Sequence, residues 1–263
     1  MVGEQYWKRW PNFALHKLLH ERPRRVKPAD PERFASVFER YADDTVFVHA
    51  GLSDVNAALP GNPYETVLDV LERHFDSILA PGFTDYFRKS GVYAKEHSRP
   101  MYGKFNSLFL GDADYRTDDA CKSILVRGDY RFEERNHHDT FSPEGCFAQL
   151  RDDDVLLASI GTPWLMCSFL HYLESKHEVP YVYEDTYEGT LIDGDQSRRI
   201  EQTCQYWDGF WRFNKLKLHR HWRERGVVDE YDLNGLRVFV ASIADIEAAT
   251  SPEIRSDPYF LVT

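Results

Sequence analysis

The most constraining feature of the sequence is a series of short apolar segments, rich in β-branched and aromatic residues, with amphipathic stretches between them. Short apolar runs bounded by turn residues are typical of buried strands. They predict strands at 45–49, 77–80, 123–127, 155–160 and 237–241. Apolar residues at helical spacing predict helices at 6–22, at 31–41, from Pro63 onward, at 168–176 and from Trp211 to Trp222.

The alternation of strands with helices indicates a layered α/β domain. After Pro180 the apolar period shortens, and Val182, Tyr183, Thr190 and Leu191 predict a hairpin. Because a hairpin adds antiparallel neighbours, we expect a mixed central sheet flanked by helices rather than a purely parallel sheet. We expect residues 1–263 to form a single domain, with N-terminal helices in 1–42 packed on it.

The charge balance narrows the classes of partner. The chain has 32 Lys and Arg against 43 Asp and Glu, which gives a formal net charge of −11. Such a field repels nucleic acid and anionic membranes and attracts cations, so we expect neither nucleic acid nor membrane as a partner. No apolar run approaches the roughly 20 residues that cross a bilayer, and the start has no signal-peptide core, which predicts a cytoplasmic location. The sequence leaves open whether the chain forms a homodimer.

The cysteines and histidines do not suggest a metal site. Cys121, Cys146, Cys167 and Cys204 are widely spaced and form no CxxC pair. In a chain without an export signal this spacing predicts free thiols rather than disulfides or a zinc site. The segment 137–139, His-His-Asp, has no second ligand cluster at a useful spacing, so we expect no metal.

The segment that carries candidate chemistry follows the strand that ends at Gly161. Ser168, His171 and Glu174 stand at successive spacings of three, which on a helix places them on one side. Acyl transfer to an amine requires a base, and histidine suits that role near neutral pH when a carboxylate fixes its tautomer. A hydroxyl can donate to the oxyanion that develops on a thioester carbonyl. The same spacing also suits a helix N-cap serine, a half-buried histidine and a solvent-facing glutamate, so spacing alone leaves both interpretations open.

This segment resembles the signature of the aminoglycoside 3-N-acetyltransferase family, in which a strand ending in Gly leads to Thr-Ser-Leu-His and to a Glu three residues later. Here Ser168 replaces the threonine and keeps the hydroxyl. Other segments resemble family motifs in the same order, namely 44–52, 61–71, 79–84, 116–128 and 226–258. The resemblance therefore covers nearly the whole chain from about residue 10 onward.

The resemblance implies the family's α/β fold and an acetyl-CoA-dependent transfer of an acetyl group to an amine of an aminoglycoside or amino sugar. It implies that His171 is the general base, that Glu174 orients it, and that Ser168 stabilises the oxyanion. It also implies that coenzyme A lies against His49, Ala50, Gly51, Leu52, Gly61, Pro81 and Ser123.

Several positions depart from the family pattern. The family's His-Pro pair is Asp119-Ala120 here, and the first Ser of its strand motif is Ala50. The family's Gly-Gly has become Gly61-Asn62, and the segment 82–115 is short and loop-rich. These departures favour a smaller amine, such as an amino sugar, over an aminoglycoside as the acceptor. An N-acyltransferase of glycan or natural-product biosynthesis and a non-catalytic acyl-CoA-binding homologue are the alternatives.

Overall fold

The computed structural model describes residues 7–11, 14–15, 18, 25–41 and 45–263. The helix predicted at 6–22 lies largely outside these ranges, and its described residues are helical. The next helix, α1, spans Pro31–Ser36 and is shorter than the predicted segment. Asp30 caps it, because its carboxylate accepts a hydrogen bond from the backbone N–H of Glu32.

The described residues alternate between strands and helices. The strands are β1 (Thr45–Ala50), β2 (Ser77–Pro81), β3 (Val92–Ala94), β4 (Tyr115–Arg116), β5 (Ile124–Arg127), β6 (Leu156–Ile160), β7 (Val182–Asp193), β8 (Gln196–Trp207), β9 (Asp229–Leu233) and β10 (Leu236–Ser242). The helices after α1 are α2 (Leu52–Ala58), α3 (Pro63–Glu72), α4 (Phe87–Ser90), α5 (Lys104–Phe109), α6 (Cys146–Asp152), α7 (Leu170–Lys176), α8 (Lys215–Glu224) and α9 (Ile243–Ser256). None of the helices in the described ranges is both long and apolar enough to cross a membrane.

The central sheet has seven strands in the order β4-β5-β2-β1-β6-β10-β9. β1 pairs in parallel with β2 and β6, whereas β5 and β10 pair antiparallel to their neighbours. The predicted α/β fold with a mixed sheet is thus confirmed. Successive residues of β1 point to opposite faces: Phe47 belongs to one apolar cluster, and Val46 and Val48 belong to another. Because both faces are buried, the central strands are continuous apolar runs in the sequence.

A second sheet, in the order β3-β7-β8, contains the predicted hairpin. The hairpin is longer than the sequence suggests, since each of its strands has 12 residues. Gly194 adopts a φ of +56° in the turn, a left-handed conformation that glycine accommodates without a steric penalty. The far end of β8 thereby reaches the edge of the central sheet where α7 lies.

Other differences from the sequence expectations concern short or polar elements. The segment 82–115 contains α4, β3 and α5 and is not merely a loop. Trp211 lies before α8 rather than in it, and is fully buried. Helices α2, α6 and α9 were not predicted, nor was β9, which is polar because it forms an edge of the sheet.

The expectation of free thiols is wrong for two of the four cysteines. Cys121 and Cys204 form a disulfide, with their Cα atoms 6.7 Å apart, whereas Cys146 and Cys167 are free and buried. The two partners are 83 residues apart, and only the packing of the 117–123 loop on β8 brings them together. Spacing in the sequence could not reveal this pair. The disulfide ties the loop to β8 next to Gln205.

Candidate active site

The candidate site lies at the carboxyl ends of β1 and β6. The chain leaves β1 at Gly51 and β6 at Gly161, and the two glycines meet backbone to backbone. A Cβ on Gly51 would lie 2.5 Å from the carbonyl oxygen of Gly161, and Gly161 has a φ of +66°. Glycine is therefore required at both positions. The loop after Gly161 then folds back on β6, because the Met166 N–H donates to Ser159 Oγ over 2.8 Å, and leads to Ser168 and α7.

His171 and Glu174 form a hydrogen-bonded pair on α7. The distance from His171 Nδ1 to Glu174 Oε2 is 2.8 Å, as expected for residues three apart on a helix. An ionised carboxylate only accepts hydrogen bonds, so Nδ1 carries the proton and donates it. The other ring nitrogen, Nε2, then keeps its lone pair. The side chain of His171 is 28% exposed, whereas that of Glu174 is fully buried.

Two further donors come from the second sheet. Trp207 on β8 donates its indole N–H to Glu174 Oε1 over 2.9 Å, and Gln205 Nε2 donates to Oε2 over 3.2 Å. With His171, three N–H groups thus surround one buried carboxylate. A buried carboxylate without such partners costs several kcal/mol, and charge-assisted hydrogen bonds are the contacts that offset this cost. Burial of Glu174 excludes the solvent-facing glutamate that spacing alone allowed.

Aromatic rings enclose the imidazole of His171. The ring centroids of Phe213, Phe141 and Trp207 lie 4.9, 5.5 and 5.6 Å from that of His171. These rings leave the imidazole little rotational freedom and keep bulk water from most of its surface. The pair therefore has a fixed orientation before any substrate binds.

Ser168 lies just before α7 and contacts β1. Its Oγ is 3.2 Å from His49 Nε2, and its carbonyl oxygen accepts the backbone N–H of His171. Ser168 is not a side-chain cap of α7, whose N-cap residue is Phe169. His49, Ser168, His171 and Glu174 are thus brought together, although His49 lies 119 residues before Ser168.

The other residues that the family resemblance implies for coenzyme A are spread over three places. Ala50, Gly51 and Leu52 follow His49 at the end of β1, beside Gly161. Pro81 ends β2 and pairs with Ile124. Gly61 lies exposed in the turn before α3, with a φ of +88°.

Ser123 is fully buried and has a structural environment. Its hydroxyl donates to the Gly82 carbonyl over 2.8 Å and accepts from Arg116 Nε over 3.0 Å. The Arg116 guanidinium also bonds the carbonyls of Gly82, Lys95 and Ser98. Ser123 therefore belongs to a network that holds the 82–116 segment, and the structure does not place its hydroxyl in the cleft.

Asp119 and Ala120, which stand where the family has His-Pro, are also buried. One carboxylate oxygen of Asp119 accepts the backbone N–H groups of Cys121 and Lys122, and Ala120 N–H donates to Gln202. Burial raises the pKa of Asp119 to about 7. This pair shapes the 117–123 loop from within, so neither side chain is on the surface that an acceptor would meet.

A cavity of about 560 Å³ opens beside the buried Glu174. Phe141 and Tyr183 line it, together with the carboxylates of Asp139 and Glu184. Burial, and then the negative charge of Glu184, raise the pKa of Asp139. The cavity is therefore acidic, with aromatic walls that continue to His171.

The His-His-Asp segment does not assemble a metal site. His137 Nδ1 accepts the Asp118 N–H, and His138 Nε2 lies 3.2 Å from Arg198 Nη1. In the part of the chain that the structure describes, no group of three or more His, Cys, Asp or Glu could hold a metal ion.

Sequence reasoning missed Gln205 and Trp207, the two residues of β8 that hold Glu174. They are two apart and therefore share one face of the strand. A Gln and a Trp on one face at the end of a hairpin are the signal that could have drawn attention to them. Their partner could not be deduced, because the length of the hairpin sets which residues reach α7.

Comparison by sequence identifies one family. The family model of aminoglycoside 3-N-acetyltransferase matches residues 47–250. The match includes β1, the Gly161 loop, α7 and β8. No curated protein matches the chain by sequence.

Comparison by structure finds the same fold at low identity. The aminoglycoside acetyltransferase AAC-IIIb, solved with CoASH, is 14% identical, with a TM-score of 0.71 over 87% of this chain and 97% of that chain. AAC-VIa bound to sisomicin is 16% identical, with a TM-score of 0.66 over 88% of this chain and 98% of that chain. The YokD protein from Bacillus subtilis is 12% identical, with a TM-score of 0.68 over 88% of this chain and 95% of that chain.

The contact between Trp207 and Glu174 predicts a coupling in stability. We expect Trp207→Phe and Glu174→Gln to be non-additive by about 1–3 kcal/mol in the free energy of unfolding, because the indole N–H bonds the ionised carboxylate. Chemical denaturation of the two single variants and the double variant measures this coupling. The matched control is Trp222→Phe, whose indole N–H bonds Thr250 instead, and it should be additive with Glu174→Gln. Additivity for Trp207 as well would contradict the contact.

Proposed function

The chain belongs to the aminoglycoside 3-N-acetyltransferase family, and from that premise we propose that it transfers an acetyl group from acetyl-CoA to an amine of an aminoglycoside or amino sugar. The observation that carries the proposal is the His171–Glu174 pair, which is oriented, partly exposed and enclosed by aromatic rings. A buried carboxylate fixed on an imidazole is the arrangement that acid–base catalysis needs.

His171 is the general base in this proposal. An amine reaches the site as an ammonium ion, which has no lone pair to attack with. Nε2 of His171 carries the free lone pair, so it takes the proton directly or through a water. Glu174 accepts from Nδ1 and stabilises the imidazolium that results.

Ser168 acts on the acyl group. Acetyl-CoA supplies the acetyl group as a thioester, and the amine nitrogen forms a bond to its carbonyl carbon. The Ser168 hydroxyl, with nearby backbone N–H groups, donates to the oxyanion that develops. As the C–N bond becomes an amide the C–S bond breaks, and His171 returns its proton to the thiolate of coenzyme A. Transfer is direct, because Cys167, the one cysteine close to this segment, is buried.

Coenzyme A binds at the edge where β1 and β6 end. His49, Ala50, Gly51 and Leu52 follow each other there, and the close glycine contact exposes backbone rather than side chains. Lys215 and Lys217 in the first turn of α8 supply positive charge for the phosphates, one turn from Phe213 and His171. That AAC-IIIb, which has this fold, was solved with CoASH supports this assignment.

The acceptor binds on the opposite, acidic side. Asp139 and Glu184 line the cavity beside Glu174, and the chain has a net charge of −11. Both features favour a cationic amine. Because Asp119 and Ala120 are buried, their difference from the family does not alter this surface directly. The preference for a smaller amine over an aminoglycoside stays a prediction. A non-catalytic role leaves the three donors on Glu174 without a purpose.

The first prediction from this mechanism concerns the base. His171→Ala should lower kcat by about 10²–10⁴-fold, because a general base contributes that much to the rate. Binding of coenzyme A, measured by calorimetry, should be nearly unchanged and is the control for folding. Turnover close to that of the wild type would remove His171 from the mechanism.

The second prediction concerns the acceptor, and it is the test of the proposed function. Release of coenzyme A should be measured with 2-deoxystreptamine aminoglycosides, simple amino sugars and their nucleotide conjugates, a polyamine and an aromatic amine. We expect kcat/KM of about 10⁴ M⁻¹s⁻¹ or above for at least one of the sugar amines, with the smaller ones preferred. We expect no comparable turnover of the polyamine or the aromatic amine. Turnover confined to those two would contradict the proposal.

A further inference from the structure

The role of His49 can be assigned more narrowly than as a contact for coenzyme A. Its Nε2 is 3.2 Å from Ser168 Oγ, and its ring packs at 5.5 Å on that of Phe47, its neighbour but one on β1. β1 is in the middle of the central sheet, between β2 and β6. A side chain held from there has a fixed position relative to Ser168.

His49 is neutral at physiological pH. Burial lowers the pKa of His49 to about 4, and the positive charge of Lys215 acts in the same direction. Lys215 belongs to the first turn of α8, and its Nζ lies 3.8 Å from the sulfur of Met166 in the loop that leads to Ser168. A neutral imidazole has one N–H donor and one lone pair, so its effect on Ser168 depends on which nitrogen holds the proton.

The two tautomers have opposite consequences for Ser168. If Nε2 accepted the hydroxyl proton, Ser168 would have no hydrogen left for a substrate oxygen. If Nε2–H donates to Oγ, the hydroxyl proton is free to point elsewhere. Only the second arrangement fits a hydroxyl that stabilises an oxyanion.

We propose that His49 is a positioning residue, which donates its Nε2–H to Ser168 Oγ and thereby directs the hydroxyl proton of Ser168 at the thioester oxygen. This inference rests on the proposed acetyl transfer. It gives the two halves of the site separate supports: β8 holds the His171–Glu174 pair, and β1 holds Ser168. The carbonyl of Ser168 also accepts the His171 N–H, so a short segment links the halves.

A double-mutant cycle on kcat tests the proposal. Ser168→Ala should lower kcat by about 10²–10³-fold, the usual cost of an oxyanion donor. His49→Met, which has no donor, should lower kcat by at least about 10-fold with a smaller change in KM. His49→Gln, whose amide N–H can replace Nε2–H, should recover most of the activity. In the Ser168→Ala background both His49 substitutions should change kcat by less than about 2-fold, because their target is gone.

The matched control is His177→Gln. His177 Nε2 lies 2.9 Å from Ser251 Oγ, which makes a second histidine–serine pair outside the cleft, so kcat should not change. The acid side of the pH–rate profile should be the same for the wild type and His49→Gln, since His49 does not titrate near neutral pH. Loss of that limb in His49→Gln would mean that His49 is itself the base and would overturn the inference.

The outcomes separate this inference from the function it rests on. If the wild type turns over amines but the effects of Ser168 and His49 multiply, His49 does not act through Ser168 and the inference fails alone. An active Ser168→Ala variant would also refute it, while leaving the His171 mechanism in place. If the wild type acetylates no amine, the proposed function fails and this inference falls with it.

Discussion

The candidate site depends on the burial of one charge, the carboxylate of Glu174. It is fully enclosed and takes three N–H donors, one from α7 and two from β8. These elements belong to different layers, so the donors converge only when the hairpin of the second sheet packs against α7. The same packing orients His171, and the chemistry of the site thus depends on how two sheets are joined.

That joint has other supports. The disulfide between Cys121 and Cys204 fixes β8 one residue before Gln205, and Gln202 accepts the backbone N–H of Ala120 nearby. Asp119 holds the same loop from within by accepting two backbone N–H groups. Where other family members have His-Pro, this chain therefore has a buried scaffold for β8. This is a difference in how the site is held rather than in what it presents to an acceptor.

The sequence was most informative where local pattern decides structure. Apolar runs located the central strands β1, β2, β5, β6 and β10, and the spacing of His171 and Glu174 on a helix implied their contact. It was uninformative where the partner is distant in the chain. Gln205, Trp207 and the Cys121–Cys204 bond depend on the length and register of the hairpin, which no local period specifies. Ser123 looked like a ligand contact because its motif matches, yet burial assigns it to the scaffold.

The central claim is that the Glu174 carboxylate makes His171 a base, and the pH–rate profile of Glu174→Gln tests it most directly. Gln has nearly the same shape but cannot stabilise an imidazolium through its charge. The account predicts a lower kcat than that of the wild type and an acid-side limb displaced to lower pH, with the fold retained by circular dichroism. An unchanged kcat with an unchanged limb would contradict it, and would leave Glu174 a structural residue.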